Sequence, residues 1–486
     1  MIKLSTQRDS QATGEGYELT KNLEESGTLR HNAVGILHAI FQSQSHVAPA
    51  ADVALLITGT AAIALGATPL VILLAWIGYF LLVNTNYQFS KHVSSAAGYY
   101  GFAANGLGKK WGILVGWLFL GNEMLAFPAF GFLGAASLIY LLSPALSSIP
   151  YLWIVFIVPF MLFVFIIEYL GIRPSLNYAW MAGIVEVIFL IATSIGIIIL
   201  VGSGNTFSVF TASPVNGDFH PIFLAFIIGI TTLAGSGSVV AISEETKMPK
   251  RSIPRSLIFV MLIDLSVVLV TYALTVGWGV SKMASFAGSP DPGIVVYAHY
   301  LGPVIALIFA AIIYNSYLMF GLAINNSLSR TAYAMARDDI IFPKKYFAKT
   351  HPKYKTPSRI LILITAFGFL FAIANGLVFG PFEGGVYPFL MIGMMLILTH
   401  LIDNFALGFF IKKKSIKLNL LTHIIIPVIG SAFLVLALFY SLYPFPPLTA
   451  AGTTYIYVAF AWIVGGIIYA FWKAKRVGKI ATVNVD

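Results

Sequence analysis

The chain has no cysteine in its 486 residues, which excludes disulfides and thiolate metal sites. Charge is also scarce. Asp, Glu, Lys and Arg make up 10% of the residues, against about 25% in soluble domains, while 58% are hydrophobic. Such a chain cannot solvate itself as an ordinary globule. No H-E-x-x-H, G-x-S-x-G or P-loop pattern occurs, so nothing supports metal hydrolysis, acyl transfer or ATP hydrolysis. No catalytic residues, metal or cofactor are expected, and the chain does not read as an enzyme. The first thirty residues are polar and hold Lys3 and Arg8 without an apolar core behind them, unlike a signal peptide. Residues 1–31 are expected to form a cytoplasmic tail.

What the chain does have is apolar runs of about 20 residues, the length that crosses about 30 Å of hydrocarbon. The reading is an all-α polytopic membrane protein with twelve spans. They fall at 32–65, 69–91, 111–142, 149–170, 174–201, 219–246, 254–280, 302–337, 358–379, 384–411, 420–443 and 455–472. With the N-terminus inside, 28 of the 29 Lys and Arg residues fall in cytoplasmic segments and only Lys282 lies outside. That is the positive-inside rule, with both termini cytoplasmic, residues 473–486 as a C-terminal tail and the cell membrane as the location. It accounts for the net charge of +10 and leaves no basic groove for nucleic acid.

Two spans carry an interruption. In "AIFQSQSHVAPAADVALL", Ala39 to Leu56, five polar side chains (Gln42, Ser43, Gln44, Ser45, His46) precede Pro49. Proline removes a backbone hydrogen bond and frees a carbonyl one turn earlier. Irregular backbone at membrane depth is tolerated only where it is buried in protein or lines a watery cavity. In the sixth span, "FIIGITTLAGSGSVVAISEE" clusters Thr231, Thr232, Gly235, Ser236, Gly237 and Ser238, where glycine lets a ligand approach the backbone. The Gly235–Gly237 stretch also suits a helix-packing face. If spans 1–5 and 6–10 are two copies of one unit, the interruptions occupy matching positions, the sequence pointer to a midplane transport site. Half-helix ends offer N–H groups to an anion and carbonyls to a cation.

Three further stretches carry a resemblance. "SEETKMPKRSIPRSL" (Ser243 to Leu257) resembles the segment closing the sixth helix of amino acid–polyamine–organocation (APC) transporters. "AAGYYGFAANGLGKKWGILVGW" (Ala96 to Trp117) is similar to the segment leading into their third helix. "SRTAYAMARDDIIFPKKYFAKTHPKYKTP" (Ser329 to Pro357) is similar to their long loop after the eighth. The resemblance implies a LeuT-like core of five plus five inverted helices, at 32–201 and 219–411, with two additional helices at 420–472. It implies alternating access, helices 1 and 6 unwound at mid-membrane, a substrate carboxylate on the first break and an amine on the sixth. Relatives read Gly-Ser-Gly where this chain has Gln42-Ser43-Gln44. Thr232-Leu233-Ala234-Gly235 replaces a Phe-Ile-Gly-like segment, and Thr231 stands where some members place a gating aromatic. Asn122 and Asn325 match cavity-lining positions on the third and eighth helices. Where some members place a lysine in the fifth helix, this chain has Glu186.

These residues form the expected site: Gln42 to His46, Asn122, Thr231 to Ser236 and Asn325 for substrate, with Glu186, His46 and Glu123 for ion coupling. Asp264 and the pair His400 and Asp403 are also intramembrane, the pair three residues apart on one helix face and expected to bond to each other. The function expected is secondary transport of an amino acid or related organic amine, driven by protons. The alternatives are a sodium-coupled carrier, an exchanger, or a permease-like nutrient sensor. Basic substrates would want acidic side chains in the cavity. Only Glu123 and Glu186 are candidates, so neutral amino acids are favoured.

Overall fold

The computed structural model describes residues 28–142, 144–289, 291–443 and 450–480. The expected tail therefore falls outside it except for residues 28–31, and so do the last six residues. Nineteen α-helices carry the described chain. They are α1 Ile36–Val47, α2 Pro49–Asp52, α3 Thr58–Ala64, α4 Thr68–Ser90, α5 Gly98–Leu107, α6 Lys109–Leu142, α7 Leu152–Tyr169, α8 Ile172–Val201, α9 His220–Thr231, α10 Pro249–Ile263, α11 Leu265–Trp278, α12 Pro292–Leu301, α13 Pro303–Arg337, α14 Lys344–Phe347, α15 Ser358–Phe379, α16 Pro381–Val386, α17 Pro388–Lys413, α18 Ile426–Leu442 and α19 Ala450–Lys473. No strand occurs among the described residues, only an isolated parallel bridge between Val34 and Thr246.

Eleven helical stretches among the described residues are long and apolar enough to cross a membrane, one fewer than the twelve spans expected. The difference lies in the first stretch, Ile36–Ser90, whose 55 residues run the first two expected spans together. At 1.5 Å per residue it would measure about 80 Å if straight, far beyond one hydrocarbon thickness. It is interrupted by Leu65, at φ 49°, and a 3-10 turn over Leu65–Ala67. The seventh expected span falls on one such stretch, Pro249–Trp278, with a turn at Asp264 between α10 and α11.

Side-chain spacing decides which face of each helix turns inward. On α8, Met181, Val185, Ile188, Ile191, Ile195 and Ile199 are exposed, while Ala179, Gly183, Glu186, Leu190, Ser194 and Ile197 are buried. Both stripes advance in steps of three and four, the period of one helix face. The apolar outer stripe suits lipid, and Glu186 is carried on the inner one. Helix α6 is central. It is largely buried and packs against α5, α13 and α17.

Candidate functional site

Both sequence interruptions are visible in the backbone. Helix α1 ends at Ala48, which adopts a left-handed conformation (φ 54°). Pro49 follows and has no N–H to return to the preceding turn. The chain resumes through α2, a π-helical turn over Val53–Ile57 and α3. In the sixth span, α9 ends at Thr231 and the chain winds as a 3-10 helix over all twelve residues Ala234–Glu245, a length rare for that geometry. The Tyr79 hydroxyl donates to the Ala234 carbonyl at the junction, 2.6 Å away.

The two interruptions meet. A Cβ on Gly235 would overlap the His46 backbone, and one on Gly237 would overlap the Tyr99 hydroxyl and the Asn86 amide. Both glycines therefore serve close packing of protein against protein. Around the meeting point lies a cavity of about 30 Å³, lined by His46, Val47, Asp52, Leu56, Asn122, Glu123, Ala126, Phe130, Thr231, Ala234, Gly235, Phe320, Phe389, Ile392 and Leu396. That volume holds about two waters.

Six of the expected site residues line this cavity: His46, Asn122, Glu123, Thr231, Ala234 and Gly235. The others are placed elsewhere. The Gln42 side chain donates to the Ala323 carbonyl (2.7 Å) and accepts from Asn326 (3.2 Å), and the Ser43 hydroxyl accepts from the Val239 N–H (3.2 Å). These two side chains fasten α1 to α13 and to the 3-10 segment. Gln44, Ser45 and Asn325 are buried with no partner for their side-chain polar atoms. Thr232 bonds back to the Ile228 carbonyl, Leu233 is fully buried, and Ser236 donates to Asp264 at 2.8 Å.

Glu186 reaches the first interruption from α8. One of its oxygens accepts from the Ala50 N–H and from the Ser316 hydroxyl, each at 2.8 Å. Glu123 accepts from the Ser327 hydroxyl at 2.8 Å, and its other oxygen stands 3.8 Å from His46 Nε2. Asp52 was not foreseen. It lies on α2, wholly buried in the cavity wall, and neither carboxyl oxygen has a partner. Its sequence signal was an acidic residue three positions after Pro49, within the apolar run that follows the polar cluster. The expected bond between His400 and Asp403 is absent. Both Asp403 oxygens and His400 Nε2 are unpartnered, because the imidazole is edge-on to Tyr79 and Tyr99 instead.

In the cavity wall Phe130 and Phe320 are stacked 3.7 Å apart, with Phe389 against Phe130. Phe130 also meets Tyr317, which borders a vestibule of about 410 Å³ together with Thr58, Leu133, Trp153, Asp291 and Phe382. Asp291 lies outside the spanning stretches, and burial pushes its carboxyl up to about 6. Ten residues farther along α13 from Phe320 lies a buried ion cluster. Arg330, 1% exposed, donates to Glu245 at 2.8 Å and stands 3.6 Å from Glu168. Glu168 accepts from Ser175, which accepts from Asn326. Through Asn326 the network reaches Gln42. Arg337 makes a two-pronged pair with Glu244, and the Glu245 carbonyl accepts from the Ala33 and Val34 amides.

Residues 38–480 match the amino acid permease family. The chain belongs to that family. Membership places it among permeases rather than enzymes, as a multi-pass membrane protein. The permease is 29% identical over 285 residues to a low-affinity putrescine importer of Escherichia coli, covering 57% of this chain and 60% of the relative. It is 26% identical over 275 residues to an uncharacterised transporter of Mycobacterium bovis, covering 56% of this chain and 58% of the relative. The alignment thus spans about three fifths of the length of these curated relatives.

Proposed function

We propose that this permease is a secondary active transporter, moving amino acids or related organic amines across the cell membrane by alternating access with proton coupling. The carrying observation is the junction of two interrupted helices around a closed cavity bearing carboxyl groups in an apolar interior. A carboxylate buried without a partner is expensive, and intramembrane ionisable groups that face a cavity are marks of a substrate or ion path. The family match and the similarity to a putrescine importer support the same reading.

In this proposal the 55-residue first stretch crosses twice, turning at Leu65–Ala67, so that the spans number twelve. The first and sixth are unwound at mid-depth, and spans 1–5 and 6–10 form the inverted repeats. The ends rich in Lys and Arg are cytoplasmic, with both termini. The Arg330 latch then shuts the cytoplasmic side, and the Phe130–Phe320 stack is the lid toward the outer vestibule. That stack supplies the aromatic gate that Thr231 cannot. A cavity with room for about two waters has to enlarge before it holds substrate, so lid and latch open in turn.

Glu186 links proton binding to this motion. Its carboxylate holds the Ala50 amide at the head of the resumed helix, where negative charge is favourable, and a hydrogen bond to an ionised acceptor is about twice as strong as a neutral one. A proton on Glu186 loosens that hold. The test is uptake of labelled amines and amino acids into proteoliposomes under imposed proton or sodium gradients. The expected result is uptake accelerated by an inward proton gradient, with the acceleration lost in Glu186→Gln. Sodium-driven uptake, or uptake only against internal substrate, replaces proton symport with the sodium-coupled or exchange reading. Clear ligand binding without any uptake makes the protein a sensor.

A further inference from the structure

We infer that the central cavity takes an aliphatic diamine, a substrate with an ammonium group at each end and no carboxylate. The inference rests on the reading that this cavity is the transport site and narrows it to a substrate class.

The Ala50 amide at the head of the resumed helix, which a substrate carboxylate would seek, is already engaged. The resumed helix after Ala48 offers few backbone donors at its head. Pro49 has none, the Ala48 N–H is bonded to the Gln44 carbonyl, the Asp52 N–H to the Ala48 carbonyl, and the Ala50 N–H to Glu186. The protein's own carboxylate therefore occupies the partially positive helix head that an amino acid's carboxylate would seek. Ser316 secures the same Glu186 oxygen from α13.

The rest of the wall favours cations. Asp52 lines the cavity with both oxygens unpartnered, and Glu123 lines it from α6. Of the lining residues only His46 can carry positive charge, and it already stands beside Glu123. An incoming carboxylate would meet two acidic groups and no free cation. An incoming ammonium would satisfy the Asp52 oxygens directly, and a charged hydrogen bond of that kind is among the stronger ones. Between the two acids the wall is apolar, with Leu56, Ala126, Phe130 and Phe320, which suits a methylene chain. Neutral amino acids, expected when Glu123 and Glu186 alone are counted, are the poorer fit.

The experiment is thermal stabilisation of the purified full-length protein by putrescine, cadaverine, butylamine, ornithine, alanine and leucine at equal concentration, paired with uptake of the same compounds into proteoliposomes. The diamines are expected to give the largest upward shift, butylamine a smaller one, and ornithine and the neutral amino acids none. Asp52→Asn is expected to weaken the diamine response at least tenfold. Glu186→Ala, which frees the Ala50 amide, is expected to admit ornithine. Should Asp52→Asn fail to fold, the ligand series on the parent protein decides alone. Ornithine matching the diamines, or neutral amino acids that stabilise and are taken up while diamines are not, overturns the inference and leaves the transport reading standing. No stabilisation and no uptake by any compound overturns both.

Discussion

Replacing Arg330 by methionine keeps the bulk of the side chain and deletes its charge. Glu245 and Glu168 then lose the guanidinium that stands 2.8 and 3.6 Å from them, in a place where all three side chains are 1% exposed. Removing one partner of a buried ion pair costs about 3–5 kcal/mol, because the remaining charge is stranded. The penalty falls on the arrangement with the latch closed, since opening that side lets water reach both carboxylates. At about 1.36 kcal/mol per decade, the ratio of closed to open protein falls by roughly two to almost four decades. A protein resting at 99:1 would become evenly populated or mostly open. The absence of cysteine makes this measurable, because Ala126→Cys places a single thiol in the cavity wall. Maleimide applied from the side of the basic loops should spare that thiol in the parent background and label it in Arg330→Met. The melting temperature should fall as well. Equal protection in both backgrounds refutes the reasoning, because the ion cluster would then not be what holds that side shut.

Gly235→Ala forces a Cβ into the His46 backbone, which cannot rotate aside. Overpacking of this kind costs about 1–3 kcal/mol, so melting temperature and uptake should both drop. Gly59→Ala meets only the Ile228 side chain at 3.7 and 3.9 Å and should leave both unchanged. Asp291→Asn tests the vestibule. Burial raises this carboxyl from 3.8 to about 6, so the folded protein binds its proton more tightly than the unfolded chain, and the stability it contributes is lost as pH rises through that window. Asparagine tolerates the φ of 41° at this position. The variant should melt above the parent at pH 8, with the difference closing toward pH 4.

The spans were legible because membrane burial demands long apolar runs, and the ninth, 358–379, coincides with α15. The first break was legible for a backbone reason. Pro49 cannot donate its hydrogen bond, and the chain departs from helix at Ala48, one residue earlier. What lay beyond reach was the direction of each polar side chain. Gln42 and Ser43 look like cavity residues in the sequence, yet they bond across to α13 and the 3-10 segment. Asn325 and Asn326 are neighbours, but successive helical residues point about 100° apart, and only Asn326 meets Gln42. The long 3-10 winding of 234–245 has no composition of its own to announce it. Asp52 lies outside the polar cluster in sequence, and only the turn past the proline brings its side chain back to the same cavity. Glu186 is turned inward because the inner stripe of α8 is fixed by its three-and-four spacing.

The most direct measurement is a density map of the protein with putrescine bound. The account predicts ligand density between Asp52, Glu123 and the Ala234–Gly235 backbone, in a cavity enlarged well beyond its present 30 Å³ or so, with Glu186 still on the Ala50 amide. Ligand density at another place, with His46 and Gly235 still closed on each other and Asp52 untouched, contradicts it.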